Sequence, residues 1–506
     1  MSEGILDDVD RRRAAARAMG GRDKLDRRRA KGVLNARERI DALCDEGSFL
    51  EAGLHAHSVM EADKESTPGD GKLTGYATVE GRPAAVVSND FTVKGASSSL
   101  TNMRRIAHVK RTATLRGMPL IFLGESSGAR MPDNMGAAGM GTLLGNDPLQ
   151  YVRHRETPWV SALLGDCFGS SAFYACLSDF VVMREGACMA IGSARLVQLA
   201  MGEVIEPEAL GGAAFHARET GAIDQMVKTD EDAIALTKRF LSYLPSAAGT
   251  PPPRAETAGG PATDLAAMVP QKRTRGYGMR RVVTALADPE SVLELKPQFA
   301  RTVVTALARI DGHTVGVIAN NPMFKAGALD ADACSKATRF IATCDSFHIP
   351  IVNLVDTPGF VIGSDAEKRR APTKIMTYMT ALQSATVPKF SVIVRKAYGQ
   401  AYLNMGGGKN SDEVAAWPTA EISFMEPRFG ARVVSPPEAD EATLAAAEEA
   451  LARGSEVWEI AGMFAVQHVI KPDETRAWLI DMLRIYGSST TAAMGKRHLA
   501  AWPFNF

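Results

Sequence analysis

Short continuous apolar runs alternate with helical patterns along this chain. Residues 120–123 are apolar without interruption, residues 351–355 are apolar except for Asn353, and each run follows a proline, as expected of strands covered on both faces. Residues 100–116 and 331–347 carry apolar side chains at helical spacing. β-Rich runs flank an acidic-glycine pair at Gly81 and again at Gly312, which predicts tight hairpin turns. The order hairpin, helix, buried strand and glycine-containing turn predicts an α/β fold.

This order occurs twice at a nearly constant separation. The residues Ala-Thr-Val-Glu-Gly at 77–81 correspond to Ala-Arg-Ile-Asp-Gly at 308–312, 231 positions later, and Pro119 and Pro350 are separated by the same interval. A third block starts at Pro158 and returns at Pro388, 230 positions later. Three blocks in one order predict an internal duplication, with one domain in residues 1–250 and a second in residues 271–506.

Residues 251–270 lie between the two copies and differ from them in composition. They contain Pro-Pro-Pro at 251–253 and Gly-Gly at 259–260, which is typical of a linker. Two joined domains of like fold can present equivalent surfaces, and this suits a reaction with two large substrates.

Composition limits the classes of function. Lys+Arg and Asp+Glu both number 58, so the net charge indicates neither nucleic acid nor a membrane surface as a partner. The six cysteines form no CxxC pair, which favours reduced thiols in a reducing compartment. The nine histidines form no HExxH motif, and we predict no metal. Acidic residues near the start of the chain and the lack of an apolar run of about 20 residues favour a cytoplasmic protein.

Five segments carry a family resemblance. They are Asn-Asp-Phe-Thr-Val at 89–93, Leu-Gly-Gly at 210–212, Val-Asp-Thr-Pro-Gly-Phe at 355–360, Arg-Lys-Ala-Tyr-Gly at 395–399 and Trp-Pro-Thr-Ala-Glu at 417–421. With them the chain resembles the carboxyltransferase β subunits of biotin-dependent acyl-CoA carboxylases, the propionyl-CoA type above all. The resemblance implies two tandem crotonase-like domains (ββα superhelix, ClpP/crotonase), the first binding acyl-CoA and the second carboxybiotin. It also implies a hexamer built from dimers, with each active site between the N-domain of one protomer and the C-domain of another.

The implied reaction transfers CO2 from carboxybiotin to the α-carbon of an acyl-CoA through an enolate. Charge develops on the thioester oxygen and on the biotin ureido oxygen, and each well-placed backbone N–H contributes about 3 kcal/mol. By resemblance, the N–H groups of Gly169 and Ser170 hold the enolate, and those of Gln400 and Ala401 hold the biotin oxygen. The biotin anion itself can take the α-proton, so a protein base is unnecessary.

The chain departs from the family at both of these turns. The family has paired glycines where Gly169-Ser170 and Gly399-Gln400 stand, so Ser170 and Gln400 must adopt backbone angles open to non-glycine residues. Leu403 falls where the family tunes the acyl pocket by side-chain size. The resemblance places further residues around the two ligands: Gly128, Gly359, Phe360 and Tyr398. Three cations within residues 100–116 are candidates for CoA phosphate contacts: Arg104, Arg105 and Lys110. The alternative is that they are ordinary surface charges.

Partners and rival functions follow from the same resemblance. The chain lacks the Met-Lys-Met context in which this family attaches biotin, so a separate biotin carrier and biotin carboxylase would supply the carboxybiotin. Two alternatives stay open at this point. One is an acyl-CoA decarboxylase or another enolate-forming CoA enzyme, and the other is a non-catalytic scaffold subunit.

Two motifs point elsewhere and are set aside. Residues 124–128 satisfy GxSxG, which would make Ser126 a hydrolase nucleophile. Its counterpart in the second copy is Thr357 within Val-Asp-Thr-Pro-Gly, so the motif is interpreted as a duplicated structural turn. Gly-Gly-Gly-Lys at 406–409 lacks the first glycine of a phosphate-binding loop, because Leu403 occupies that position.

Overall fold

The computed structural model describes residues 3–131, 133–143, 147–257, 259–260, 264–487 and 494–503. The chain divides into two compact units, Met1–Ala248 (unit 1) and Gly249–Phe506 (unit 2). The segment predicted as a linker packs on unit 2. Ala255 N–H donates to the Gly312 carbonyl at 2.9 Å, and Leu265 lies in the apolar core of that unit. Leu265 packs against residues that are distant in sequence, and proline and glycine content gives no information about such contacts.

Unit 1 contains a sheet with the strand order β1-β2-β3-β4-β5-β6-β8, and β7 pairs with β5. Its strands are β1 (Leu50–Glu51), β2 (Lys72–Val79), β3 (Arg82–Asn89), β4 (Leu120–Ser126), β5 (Trp159–Phe168), β6 (Phe180–Arg184), β7 (Cys188–Ala190) and β8 (Gln225–Val227). Its α-helices are α1 (Glu3–Arg17), α2 (Arg22–Ala30), α3 (Ala36–Leu43), α4 (Leu100–Arg116), α5 (Gly136–Leu143), α6 (Ser170–Leu177), α7 (Ala194–Met201), α8 (Pro207–Gly211), α9 (Ala213–Phe215) and α10 (Asp230–Tyr243).

Unit 2 contains a second sheet with the order β16-β14-β13-β12-β11-β10-β9, and β15 pairs with β13. Its strands are β9 (Leu293–Leu295), β10 (Val303–Ile310), β11 (His313–Asn320), β12 (Ile351–Thr357), β13 (Lys389–Tyr398), β14 (Glu413–Ala416), β15 (Glu421–Ser423) and β16 (His468–Val469). Its α-helices are α11 (Leu265–Met268), α12 (Met279–Leu286), α13 (Ala331–Ser346), α14 (Ser364–Lys368), α15 (Ala371–Ser384), α16 (Gly399–Asn404), α17 (Pro427–Val434), α18 (Glu441–Arg453), α19 (Val457–Gly462) and α20 (Thr475–Tyr486).

The duplication predicted from the sequence is confirmed by the strand bounds. Strands β2, β3 and β4 begin and end 231 positions before β10, β11 and β12, and β5 lies 230 positions before β13. The β4–β5 pairing shifts register between Gly124 and Ser126, and the β12–β13 pairing shifts between Val355 and Thr357. Each unit therefore has a bulge at the same point, just before the strand opens into a glycine-containing turn.

The long helix of each unit starts at a side-chain cap in equivalent positions. Ser99 Oγ accepts from the Asn102 N–H at the start of α4, and Asp330 Oδ1 accepts from the Ala333 N–H at the start of α13, at 2.9 Å. Caps of this kind satisfy amides that a helix leaves unpaired. Each cap fixes where the chain turns from the hairpin into the helix, beside the turn that follows β4 or β12.

Among the described residues, no helix is long and apolar enough to cross a membrane. Within the same residues, no group of three or more His, Cys, Asp or Glu side chains is arranged to hold a metal ion.

Candidate active site

In unit 1, two glycine-containing turns lie against each other. Strand β5 ends at Phe168, and Gly169 connects it to α6 with φ 61° and ψ −122°, angles that a glycine adopts readily. A Cβ placed on Gly169 would lie 3.9 Å from the Gly128 Cα, in the turn that follows β4. Gly128 also has a positive φ of 97°. The backbone can therefore come close to a bound molecule at this place.

The amide donors of this turn differ from the prediction. Gly169 N–H donates to the Ile191 carbonyl at 3.2 Å, which extends the β5–β7 pairing by one residue, so this amide is engaged within the fold. Ser170 is the first residue of α6, and its amide has no acceptor within the helix. Its helical conformation is open to a serine. In the described part of the chain, Ser170 rather than Gly169 is the available donor of the turn.

The Ser170 side chain is held by the wall of the same turn. Its hydroxyl lies 2.8 Å from the Ser98 hydroxyl, and either oxygen can donate. Ser98 N–H in turn donates to the Gly128 carbonyl at 2.8 Å. Ser98 therefore joins the turn after β4 to the start of α6, and the departure from glycine at position 170 adds a polar tie at the site.

Unit 2 has the equivalent turn between β13 and α16. Gln400 and Ala401 belong to the first turn of α16, where amides point along the helix axis without intrahelical acceptors. The Gln400 side chain is exposed and donates to Asn404 Oδ1 at 3.2 Å, while the Ala401 side chain is fully buried. A Cβ on Gly359 would lie 4.0 Å from the Tyr398 carbonyl oxygen, so here too a glycine turn lies beside the helix start.

The other residues expected near the second ligand differ in accessibility. Tyr398 is buried, its hydroxyl donates to Glu421 Oε2 at 2.6 Å, and burial raises the pKa of that hydroxyl. It therefore supports the turn from inside the unit. Phe360 is half-buried and forms an isolated bridge with Leu329. Leu403 is half-buried on α16, and its Cδ2 lies 3.3 Å from a Cβ built on Gly408.

The three candidate phosphate contacts also separate. Arg104 is exposed on α4, but Arg105 and Lys110 are buried. Arg105 donates to the carbonyls of Ala52 at 2.9 Å, Gly69 and Lys72, and Lys110 donates to the carbonyls of Leu149 at 2.9 Å and Gln150 at 3.1 Å. A phosphate contact by either would break these bonds. Arg104 remains the candidate.

The repeat explains the position of Arg105. Its equivalent 231 positions later is Lys336, which is also buried and donates at 2.9 Å to three carbonyls, those of Lys296, Phe299 and Val303. A buried cation that collects loop carbonyls is therefore part of the duplicated architecture. A cation at the equivalent position of the second copy could have indicated from the sequence that Arg105 has a structural role.

Ser126 has a structural environment. It is fully buried, its hydroxyl donates to the Ala96 carbonyl at 3.1 Å, and it accepts from Gly128 N–H at 3.2 Å. Thr357 accepts from Gly359 N–H at 3.3 Å in the same way. This environment supports the interpretation of GxSxG as a duplicated turn.

Lys72, at the start of β2, is a residue of this site that was not predicted from the sequence. Its Nζ is buried and donates to the Ala96 carbonyl at 2.9 Å and to Asn89 Oδ1 at 3.3 Å. Burial lowers the pKa of this amine to about 7. Lys72 borders a cavity of about 20 Å³ that Ser170 and Ser171 also line. Its counterpart in the second copy is Val303, an apolar residue, and that contrast was readable from the sequence.

Comparison with known proteins gives one family and close relatives. The carboxyl transferase domain family matches residues 27–499. The chain is 34% identical over 439 residues to the propionyl-CoA carboxylase beta chain of Roseobacter denitrificans, covering 85% of this chain and 86% of the relative. It is also 34% identical over 495 residues to the methylmalonyl-CoA decarboxylase subunit alpha of Veillonella parvula, covering 96% of this chain.

A solved structure matches at similar coverage. The crystal structure of transcarboxylase 12S superposes with a TM-score of 0.89 at 32% identity, covering 96% of each chain. That protein assembles as a hexamer, and its structure contains methylmalonyl-coenzyme A and methylmalonic acid.

Proposed function

The chain belongs to the carboxyl transferase domain family and is an acyl-CoA carboxyltransferase with a crotonase-like fold, and from this premise we propose how its two units divide the reaction. Unit 1 holds an acyl-CoA with its thioester oxygen at the Ser170 amide. Unit 2 holds carboxybiotin with its ureido oxygen at the amides of Gln400 and Ala401. A carboxyl group passes from the second ligand to the α-carbon of the first.

One observation carries this proposal. In each unit, a buried parallel strand ends in a positive-φ glycine, at Gly169 and Gly399, and the helix that follows begins with amides lacking intrahelical acceptors. Such donors stabilise an oxyanion, and removal of one well-placed donor typically costs about 3–4 kcal/mol of transition-state stabilisation. The same device in both copies suits a reaction in which negative charge develops on two different oxygens.

Carboxybiotin, when bound, supplies the carboxyl group and, after its loss, a basic nitrogen that can take the α-proton of the acyl-CoA. The chain's own part is to bind and orient. The Ser170 amide and the Ser98–Ser170 hydroxyl pair fix the thioester oxygen, and the buried Ala401 side chain keeps its amide at the helix start. No protein side chain has to move a proton in this scheme.

The residues that contact the substrate, the partner proteins, the assembly and the location are also proposals. Exposed Arg104 is the candidate contact for a CoA phosphate, and half-buried Leu403 is the candidate determinant of acyl size. A separate carrier and carboxylase supply the carboxybiotin. The hexamer of transcarboxylase 12S supports a hexamer for this chain. That this hexamer is built from dimers, and that the enzyme is cytoplasmic, are parts of the same proposal.

The test uses the full chain with carboxybiotin and a panel of short and medium acyl-CoA substrates. Mass spectrometry should detect an acyl-CoA heavier by one carboxyl group, and ¹³C-labelled carboxybiotin should label it. The same assay should lose activity for Gly399→Pro, which alters the helix start, and keep it for Arg254→Met, an exposed residue paired with Asp311. The proposal fails if no acyl-CoA in the panel becomes labelled.

A second candidate is decarboxylation of a carboxylated acyl-CoA, and the 34% identity to a methylmalonyl-CoA decarboxylase subunit favours it. The same oxyanion turns serve either direction of carboxyl movement. Transfer of the carboxyl group from methylmalonyl-CoA to free biotin, giving propionyl-CoA and carboxybiotin, together with no net carboxylation in the forward assay, would favour decarboxylation. The scaffold alternative was motivated by the residues at positions 170 and 400, and the helical backbone at both positions, which leaves their amides usable as donors, argues against it.

A further inference from the structure

Lys72 occupies a position where the architecture needs no charge. Strand β2 pairs with β3 as β10 pairs with β11, and position 72 is equivalent to position 303. Unit 2 fills that position with Val303, which is fully buried. A buried ammonium carries a desolvation cost that a valine avoids. A lysine at this point therefore calls for a reason other than folding.

Within the described residues, the hydrogen bonds of Lys72 occupy two of its three donors. An ammonium has three N–H groups, and two of them are matched by the Ala96 carbonyl at 2.9 Å and Asn89 Oδ1 at 3.3 Å. The residue also borders the cavity of about 20 Å³, a volume close to that needed for one water molecule. That cavity is lined on another side by Ser170 and Ser171, the first two residues of α6.

We propose that Lys72 is a positioning residue for carboxyl transfer, whose ammonium group places positive charge behind the Ser170–Ser171 turn and thereby favours the enolate oxygen held there. This inference rests on the proposed function. It adds a device that the second unit lacks at the equivalent position, since Val303 carries no charge. The two oxyanion turns would then differ in electrostatic environment although the backbone follows a similar path in both.

The charged and titratable groups around Lys72 come from four parts of unit 1. Arg130, after β4, and Arg105, on α4, oppose its charge, while Asp70, before β2, favours it, and Cys167, on β5, would favour it only as a thiolate. Burial raises the pKa of the Cys167 thiol, so the thiol is neutral near pH 7. Burial is the largest influence on Lys72 and lowers its pKa to about 7. Its ammonium is therefore present below that pH and lost as the pH rises through it.

The experiment compares the full chain with Lys72→Met across pH 6.0 to 8.5. We expect the kcat of the wild type to exceed that of the variant by about tenfold at pH 6, with the ratio falling towards one at pH 8.5. KM for the acyl-CoA should change by less than about twofold, because the charge acts on the enolate and not on the bound thioester. Lys72→Val should behave as Lys72→Met does, since Val303 shows that valine fits this strand position.

Lys336→Met is the matched control, because Lys336 is a buried lysine bonded to carbonyls in unit 2. It should lower Tm and give a ratio to wild type that does not vary with pH. A pH-independent ratio for both Lys72 variants, or a change confined to KM, would overturn the inference while leaving the proposed function intact. Absence of carboxyl transfer by the wild type at every pH would remove both.

Discussion

The two units hold an acidic residue at the same bulge by different means. Glu125 in unit 1 accepts from Arg39 Nη1 at 2.7 Å and from Arg28, two residues of the N-terminal helices. Asp356 in unit 2 accepts from Arg395 Nε at 3.1 Å and from Lys396 Nζ at 2.8 Å, both on the neighbouring strand β13. Both units thus keep a buried carboxylate at the bulge. The cations that pair with it come from the N-terminal helices in unit 1 and from the neighbouring strand in unit 2. The comparison teaches that the carboxylate belongs to the architecture.

The same comparison separates architecture from chemistry elsewhere. Arg105 and Lys336 do one task in both units, collecting loop carbonyls. Lys72 and Val303 do not match, and Ser170 has a hydroxyl partner that Gln400 lacks. The features that differ cluster at the turns, where the units would bind different ligands. Agreement between copies therefore indicates folding, and disagreement near the turns indicates function.

The largest expected effect comes from breaking the buried ion pairs. Arg395→Met should destabilise unit 2 by about 3–5 kcal/mol, because within the described residues Lys396 is then the only cation paired with Asp356. The carbonyls of Pro270, Lys272 and Arg275 would also lose the guanidinium that binds them. Chemical denaturation followed by hydrogen exchange should show unit 2 unfolding first.

The corresponding change in unit 1 should cost less. Arg39→Met leaves Glu125 with Arg28 and Asp230 with Arg184, so each carboxylate keeps one cation, as Asp356 keeps Lys396. The loss is smaller because, among the described residues, the Arg39 guanidinium binds these two carboxylates and no backbone carbonyl. Arg254→Met, at an exposed pair with Asp311, serves as the control and should change stability by less than about 1 kcal/mol. Equal losses for the Arg39 and Arg395 variants would contradict the argument that the two bulges are compensated differently.

Much of the fold could be predicted because each local sequence pattern occurs in both copies, so that one copy supports the interpretation of the other. Proline before an apolar run, an acidic-glycine hairpin and a fixed interval located β2 to β5 and β10 to β13. The packing of the segment predicted as a linker was harder to predict, because Leu265 contacts residues of unit 2 that are distant in sequence. Proline and glycine content describes local flexibility and says nothing of such tertiary contacts.

The candidate site was predictable in position but not in detail. The resemblance located both turns, yet it did not indicate that the Gly169 amide donates to Ile191, since that bond depends on how β7 pairs with β5. Helical spacing could not show that Arg105 lies inside unit 1. The equivalent residue Lys336 and the contrast between Lys72 and Val303 were available in the sequence, but they acquire meaning only when burial is known.

A smaller effect is expected from the two positive-φ glycines. Gly169→Ala and Gly399→Ala should each strain the turn, because both positions have a positive φ that an alanine adopts only at a cost of about 1–3 kcal/mol. Gly399→Ala should be worse, because its Cβ would come within 3.1 Å of the Phe424 carbonyl oxygen, whereas the nearest atom at Gly169 is 3.9 Å away. We expect kcat/KM to fall about tenfold for Gly169→Ala and further for Gly399→Ala. Gly249→Ala, with open space around it, is the control.

The smallest effect concerns the hydroxyl pair that only unit 1 has. Ser170→Ala removes a hydrogen bond of 2.8 Å to Ser98, and such a bond contributes about 0.5–1.5 kcal/mol. We expect kcat/KM to fall two- to tenfold, with the helix and the Ser170 amide position retained. Ser98→Ala should have a similar effect, and the double variant should be no worse than either single one, because the two changes remove one interaction. Additive losses in that double-mutant cycle would mean that the two hydroxyls act separately on the substrate, and the tie between the turns would not be what distinguishes unit 1 from unit 2.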